Sequence, residues 1–281
     1  MTYFEHKTIL ISGAATGIGR ATARRLTELG ARIMIADLDG AGAEAAAQAL
    51  PGGRARGFRC DVRDDAEVAR LHAAVLSACG SVDMLINNAA KPPVTGPIID
   101  TTLDQWRDAL EVNVLGYVRM IRAFLPDMVA RGSGHIVNTS SGLALLPDPP
   151  IRFMGPYIAS KGAQLSMSYA FAHALAGTGV SISVFCPGIT DTSDRPGGPP
   201  PPGPHMPSPE DFRIGVPTRR TERVSADYAA GILVEGLARR DFVICSQAGY
   251  LPDLIAFAEE KLDPQSIVRQ ARAEAAAAAN R

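Results

Sequence analysis

Apolar positions in this chain fall into two alternating patterns. Short runs rich in apolar residues occupy positions 8–12, 32–36, 54–60, 82–86, 134–139, 181–185 and 242–245. Longer segments with apolar residues at helical spacing fill 17–29, 41–50, 64–78, 102–131, 156–176 and 225–239. Most of the short runs are apolar throughout rather than alternating, the signature of strands buried on both faces of a parallel sheet. Strand followed by helix, repeated along the chain, predicts an α/β fold: a doubly wound parallel sheet of about seven strands. Right-handed crossovers then place helices on both faces.

Two stretches break the alternation. Positions 143–154 contain Pro147, Pro149 and Pro150, and positions 192–217 hold nine of the chain's 21 prolines. Both are too rich in proline for a helix or a central strand. Loops of this length inside compact domains are functional or disordered. Positions 192–217 read as a lid over the substrate, with prolines that lower the entropy cost of ordering it. Positions 252–281 read as a C-terminal helical extension whose Ala-rich end, 275–279, frays or packs on a partner subunit. No internal repeat or second hydrophobic unit is visible, so residues 1–281 are read as one domain.

Composition narrows the function classes. The chain has 281 residues, 46% hydrophobic and 20% charged, with a formal net charge of −1. No basic excess points to nucleic acid or to an anionic membrane as partner. The four cysteines, Cys60, Cys79, Cys186 and Cys245, are far apart. That spacing suits a reducing compartment better than a disulfide framework. A polar start leading directly into the first strand, with no apolar leader or span, makes cytoplasmic the expected location. The five histidines lack metal-ligand spacing, and no metal site is expected.

Candidate chemistry enters at four places. The first strand ends in Ser12-Gly13-Ala14-Ala15-Thr16-Gly17-Ile18-Gly19, and a helical pattern follows. Glycines there permit a tight turn and close approach to a pyrophosphate, which the helix N-terminus would hold. A plain strand-to-helix turn would have the same composition. Asp37 follows the second strand, where an acid would hydrogen-bond an adenosine ribose and repel a 2′-phosphate. No Arg or Lys stands at Ala14–Thr16 or at Leu38 to bind such a phosphate, which favours NAD over NADP. A solvated turn is the alternative for Asp37-Leu38-Asp39-Gly40. Asp61, after the third strand, either touches an adenine ring or caps the next helix. Tyr157 and Lys161 are spaced to share one helix face. An ammonium beside a phenol favours the phenolate and lowers its pKa, and such a phenol can exchange a proton with a reacting oxygen.

Together these residues resemble the short-chain dehydrogenase/reductase family over about 7–192 and again over 225–245. The likeness implies a single Rossmann-type domain and a dinucleotide, NAD, as cofactor. Gly13, Thr16, Gly17, Ile18 and Gly19 match its cofactor loop, Asp37 with Leu38 its NAD-selecting turn, and Asp61 with Val62 its adenine contact. Asn87-Asn88-Ala89-Ala90 resembles its Asn-Asn-Ala-Gly motif, with Ala90 in place of the glycine, so that Asn88 and Ala89 join the cofactor site. Pro187, Gly188 and Thr192 match the segment that holds the nicotinamide carboxamide. Asn113, Ser141, Tyr157 and Lys161 match the catalytic tetrad, with Tyr157 and Lys161 also touching cofactor. Ser141 is favoured over Ser140, as the second of the pair. The interval from Ser141 to Tyr157 is 16 residues, a few more than the family usually shows. Its extra length, at 147–153, should bulge beside the substrate.

The mechanism implied is hydride exchange at the nicotinamide with proton transfer by Tyr157. Ser141 would stabilise the substrate oxygen, and Asn113 would hold a water linking Lys161 to solvent. Leu143, Phe153 and Met154 would join Ser141 and Tyr157 around the substrate, a secondary alcohol or its ketone on an apolar skeleton. Helices 102–131 and 156–176 would form the interface of a homodimer or homotetramer. Two other readings remain: an NADP-dependent ketoreductase, and a non-catalytic dinucleotide-binding sensor.

Overall fold

The computed structural model describes residues 2–94, 96–147, 149–192, 223–247 and 249–266, and within 267–281 only 269, 273, 276 and 277. The proposed lid over 192–217 and the Ala-rich end therefore lie outside the described residues, apart from Thr192 and two alanines.

Seven parallel strands form the central sheet. In chain order they are β1 (Thr8–Ser12), β2 (Arg32–Asp37), β3 (Ala55–Arg59), β4 (Met84–Asn87), β5 (Gly134–Thr139), β6 (Val180–Cys186) and β9 (Val243–Cys245). A two-stranded pairing of β7 (Thr190–Asp191) with β8 (Val224–Ser225) stands apart. The order across the sheet is β3-β2-β1-β4-β5-β6-β9. The direction of winding reverses between β1 and β4, so a crevice opens beyond their C-terminal ends, where such sheets bind ligands. The strands β1 and β4 are buried at every position, as their uninterrupted apolar runs require. Edge strand β3, with Arg56 and Arg59, is only half covered.

The helices are α1 (Gly17–Glu28), α2 (Gly40–Gln48), α3 (Asp65–Cys79), α4 (Leu103–Leu110), α5 (Gly116–Arg131), α6 (Gly142–Leu145), α7 (Gly155–Ala174), α8 (Ala226–Arg239) and α9 (Tyr250–Glu259). One face of the sheet packs on α1, α2 and α8 through Leu26, Ala43 and Leu233. The other packs on α3 and α5 through Leu71, Val75, Met120 and Phe124. Helix starts follow local chemistry. Asp39 accepts from the Gly42 N–H at 2.9 Å and Asp64 from the Glu67 N–H at 2.8 Å. Thr102 and Gln105 form a reciprocal capping box. None of the helices among the described residues is long and apolar enough to cross a membrane.

Two element expectations change. The span 102–131 is not one helix: Glu111–Leu115 forms a π-turn between α4 and α5, and Asn113 sits in it. A single inserted residue leaves little trace in apolar periodicity, although such bulges mark functional sites. The proline-rich stretch 143–154 is not devoid of helix. It carries α6 and a 3₁₀ segment, Pro149–Phe153, because prolines fit the first turns of short helices.

Candidate active site

The groove is built where β1, β2, β4, β5 and β6 end. After Ser12 the chain turns at Gly13, whose φ of +65° lies in the left-handed region. A Cβ there would come within 2.5 Å of the Ala89 backbone, so only glycine lets the loops after β1 and β4 approach this closely. Asn88 clamps the two together: its Nδ2 donates to the carbonyls of Ser12 at 3.1 Å and Gly13 at 2.7 Å. The Ser12 hydroxyl accepts the N–H groups of Asn88 and Ala89. Gly19 is not part of the groove wall. Its missing side chain makes room for the Gly13 carbonyl and the Asn88 amide, at 2.5 and 2.7 Å from where a Cβ would stand.

Thr16 precedes α1 without capping it, and the first turn carries no acid. The positive end of this helix's dipole therefore faces the groove with no carboxylate of its own first turn to offset it, which favours an anionic ligand there. Gly13, Thr16, Gly17 and Ile18 line the groove there, with Thr192 across from Gly17. Asp37 and Leu38 line the adjoining wall. The Asp37 carboxylate accepts the N–H of Ala15 at 3.0 Å and of Asp39 at 3.1 Å, which fixes its charge beside the glycine loop. Asp61 and Val62 follow. Asp61 does not cap α3, a role held by Asp64. Its carboxylate is gripped by the Arg63 guanidinium at 2.6 and 2.9 Å, which holds it below the usual carboxylate range.

The far end of the groove is polar and buried. Ser140 and Ser141 follow β5, and the two hydroxyls diverge. Ser140 donates to the Lys161 carbonyl at 2.7 Å, tying β5 to α7. Ser141 bonds the Tyr157 phenol, and its oxygen also accepts the Leu143 N–H at 3.2 Å. Ser141 is thus the serine that meets Tyr157. The lysine reading needs correction. Lys161 is 1% exposed, its Nζ donates to the Thr139 carbonyl at 2.8 Å, and it stands 5.5 Å from the Tyr157 ring centre. Burial therefore dominates both groups: it pushes the Tyr157 phenol up to about 12 and Lys161 down to about 7. The expected lowering of the phenol by its neighbour does not appear.

Asn113 is anchored by protein hydrogen bonds. Its Oδ1 accepts the Lys91 N–H at 2.7 Å, and its Nδ2 donates to Ser160 at 2.9 Å. Its carbonyl is taken by the Gln164 amide. Thr139, Ser160 and Gln164 were absent from the sequence reading. A signal existed: 157, 160, 161, 164 and 168 recur at helical spacing, and all are polar. They form one polar stripe of α7 turned inward.

Leu143, Phe153 and Met154 do not line this groove, whose volume is about 760 Å³. Met154 is buried at the start of α7, and the Phe153 ring lies under the Arg152 guanidinium. Pro187 and Gly188 close the groove beside Tyr157 and Lys161. The Gly188 N–H donates to Ser246 at 3.1 Å, which anchors this loop to the end of β9. Backbone donors at one end, a fixed acid in the middle and buried acid–base groups at the other suit an extended nicotinamide dinucleotide.

Comparison with known proteins agrees with this geometry. The short chain dehydrogenase family model matches residues 7–196. A 2,5-dichloro-2,5-cyclohexadiene-1,4-diol dehydrogenase of Sphingobium indicum is 33% identical over 193 residues, 68% of this chain and 76% of that protein. A meso-2,3-butanediol dehydrogenase of Serratia marcescens is 34% identical over 196 residues, 70% of this chain and 76% of that protein. Among solved structures, a short chain dehydrogenase/reductase from Burkholderia phymatum in complex with NAD superposes with a TM-score of 0.78 at 30% identity. The match covers 94% of this chain and 98% of that one.

Proposed function

This chain belongs to the short-chain dehydrogenase/reductase family and is an oxidoreductase of alcohols that uses a nicotinamide dinucleotide, and within that chemistry we propose that it is an NAD-dependent dehydrogenase of secondary alcohols. The observation that carries the reading is the meeting of Ser141 with Tyr157 above a buried Lys161. The cofactor, when bound, supplies the hydride donor or acceptor. Tyr157 is the proton-transferring group: as phenolate it takes the hydroxyl proton of an alcohol, and as phenol it returns one to a ketone. Ser141 donates to the substrate oxygen, where negative charge develops. Lys161 favours the phenolate only while it carries its own proton. Asn113 shapes the π-turn that presents its carbonyl to α7.

NAD is preferred to NADP because the Asp37 carboxylate is fixed at the groove by two backbone N–H groups. The guanidinium among the described groove-lining residues, that of Arg63, is already paired with Asp61. The phosphate-bearing half of the cofactor would lie along Gly13, Thr16, Gly17 and Ile18, and the carboxamide end along Pro187, Gly188 and Thr192. The substrate skeleton is apolar, in keeping with the cluster of Leu145, Leu146 and Phe257 that follows Ser141. We read the chain as one domain and as a subunit of a homodimer or homotetramer. Leu103, Leu110 and Tyr169 are exposed on the helices that the family likeness assigns to the interface.

The test is titration of purified protein with NADH and NADPH by cofactor fluorescence, followed by a panel of secondary alcohols with NAD. Tighter NADH binding and turnover of apolar secondary alcohols are expected. Preference for NADPH would overturn the Asp37 argument. Cofactor binding without turnover across a broad panel would overturn the apolar secondary-alcohol assignment and leave a narrow substrate of another kind or a sensor.

A further inference from the structure

Behind Tyr157 and Lys161, away from the groove, lies a second phenol. Tyr117 on α5 is fully buried, as is Gln164 on α7. The Tyr117 hydroxyl donates to the Thr139 carbonyl at 3.4 Å, the same oxygen that receives the Lys161 ammonium at 2.8 Å. The Gln164 amide lies at the Tyr117 hydroxyl and also donates to the Asn113 carbonyl. Burying a hydroxyl costs free energy that a phenylalanine of nearly the same volume would avoid. Packing explains the ring; it does not explain the oxygen.

We propose that Tyr117 is a positioning residue for Lys161: by sharing the Thr139 carbonyl, its hydroxyl limits how tightly that carbonyl holds the lysine. The inference rests on reading Lys161 as part of the catalytic machinery. A carbonyl oxygen can accept two donors, but their positive ends face each other and each bond weakens. The Gln164 amide strengthens the hydroxyl as a donor, because hydrogen bonds in a chain polarise one another. The chain therefore runs from the Asn113 carbonyl through Gln164 and Tyr117 to Thr139 and Lys161. A less tightly held ammonium is freer to turn to Tyr157 and the groove.

The titratable groups facing Lys161 are Tyr157 on its own helix, Tyr117 on α5 and Cys186 on β6. Burial lowers the lysine, and no carboxylate among the described residues offsets it. Removing the competing donor leaves the whole carbonyl to the ammonium and stabilises the charged form.

The experiment is a pH titration of the Nζ resonances in protein labelled with ¹⁵N-lysine. Only Lys7, Lys91, Lys161 and Lys261 contribute. The Lys161 signal is the one missing from a Lys161→Arg variant. In the unsubstituted protein it should titrate at about 7, apart from the other three. In Tyr117→Phe its midpoint should rise by about half a unit or more, with the other lysines unmoved and the thermal midpoint near that of the parent. A Lys161 midpoint that stays or falls in folded Tyr117→Phe overturns the proposal. If that variant does not fold, Gln164→Leu decides. It should raise the midpoint by a smaller amount, and no rise there overturns the proposal equally. No turnover enters these readings, so failure of the dehydrogenase reading would show in the alcohol panel and not here.

Discussion

Strand β5 has a buried titratable group near each end, and the two ends differ in what burial achieves. At the N-terminal edge of the sheet His135 lies between Tyr3 and Ser183, with its Nε2 2.9 Å from the Ser183 hydroxyl. Ser183 donates onward to the Asp241 carbonyl at 2.6 Å, so the histidine is held as the neutral Nε2–H tautomer. Burial lowers it to about 4. At the C-terminal edge the same force lowers Lys161 to about 7 and raises Tyr157 to about 12. The histidine is pushed away from neutrality and becomes structural. The lysine is pushed toward neutrality and sits beside a groove, where a proton has somewhere to go. Burial alone does not make a site; the reference pKa and access to a ligand decide.

The strongest way to break this contrast is Tyr157→Phe. It should lower kcat for alcohol oxidation by roughly a thousandfold while NADH still binds, read by steady-state rates and cofactor fluorescence. Unchanged turnover would remove the C-terminal edge from the chemistry.

Next in size is an effect at the other edge. Because the folded pKa of His135 lies below its unfolded value, the unfolded chain binds the extra proton first. The histidine's stabilising contribution is full above about 6.5 and is lost as pH falls toward about 4. The loss is on the order of 3 kcal/mol. Urea unfolding at several pH values should show a shallower acid loss in His135→Gln, with turnover retained. Equal slopes would refute the structural role.

Gly13→Ala should cost about 2 kcal/mol from the left-handed φ and the clash with Ala89, and should weaken NADH binding as the loop moves. Thermal unfolding and fluorescence titration would separate the two effects. The smallest expected change is in Asp37→Ala, which should move the NADH-to-NADPH affinity ratio by about tenfold, roughly 1.4 kcal/mol. An unmoved ratio would show that the fixed carboxylate does not select the cofactor.

Much of this was legible in the chain. The strands were placed within a residue or two because fully buried strands write themselves as apolar runs, as at 8–12 and 134–139. The glycine loop was legible because its geometry admits few other residues. Gly19 was assigned to the cofactor; it stands outside the groove lining, and a Cβ there would meet the Gly13 carbonyl and the Asn88 amide. Either use demands the same residue, so the sequence cannot separate them. The π-turn at Asn113 was missed because one extra residue in a long amphipathic segment barely shifts its phase. Tyr117 and Gln164 were missed because each reads singly as an ordinary helix residue.

The sequence by itself determined the order of elements and the family and singled out the candidate reactive groups, because these depend on local patterning and on short motifs with few structural solutions. Only the tertiary structure decided that the Lys161 ammonium is held by the Thr139 carbonyl, that Ser140 turns away to the Lys161 carbonyl, and that the Asn113 carbonyl is taken by Gln164. Those facts depend on which oxygens β5, α5 and α7 bring within about 3 Å of one another. Such distances are set by the packing of elements far apart in the chain, and nothing in the local sequence records them.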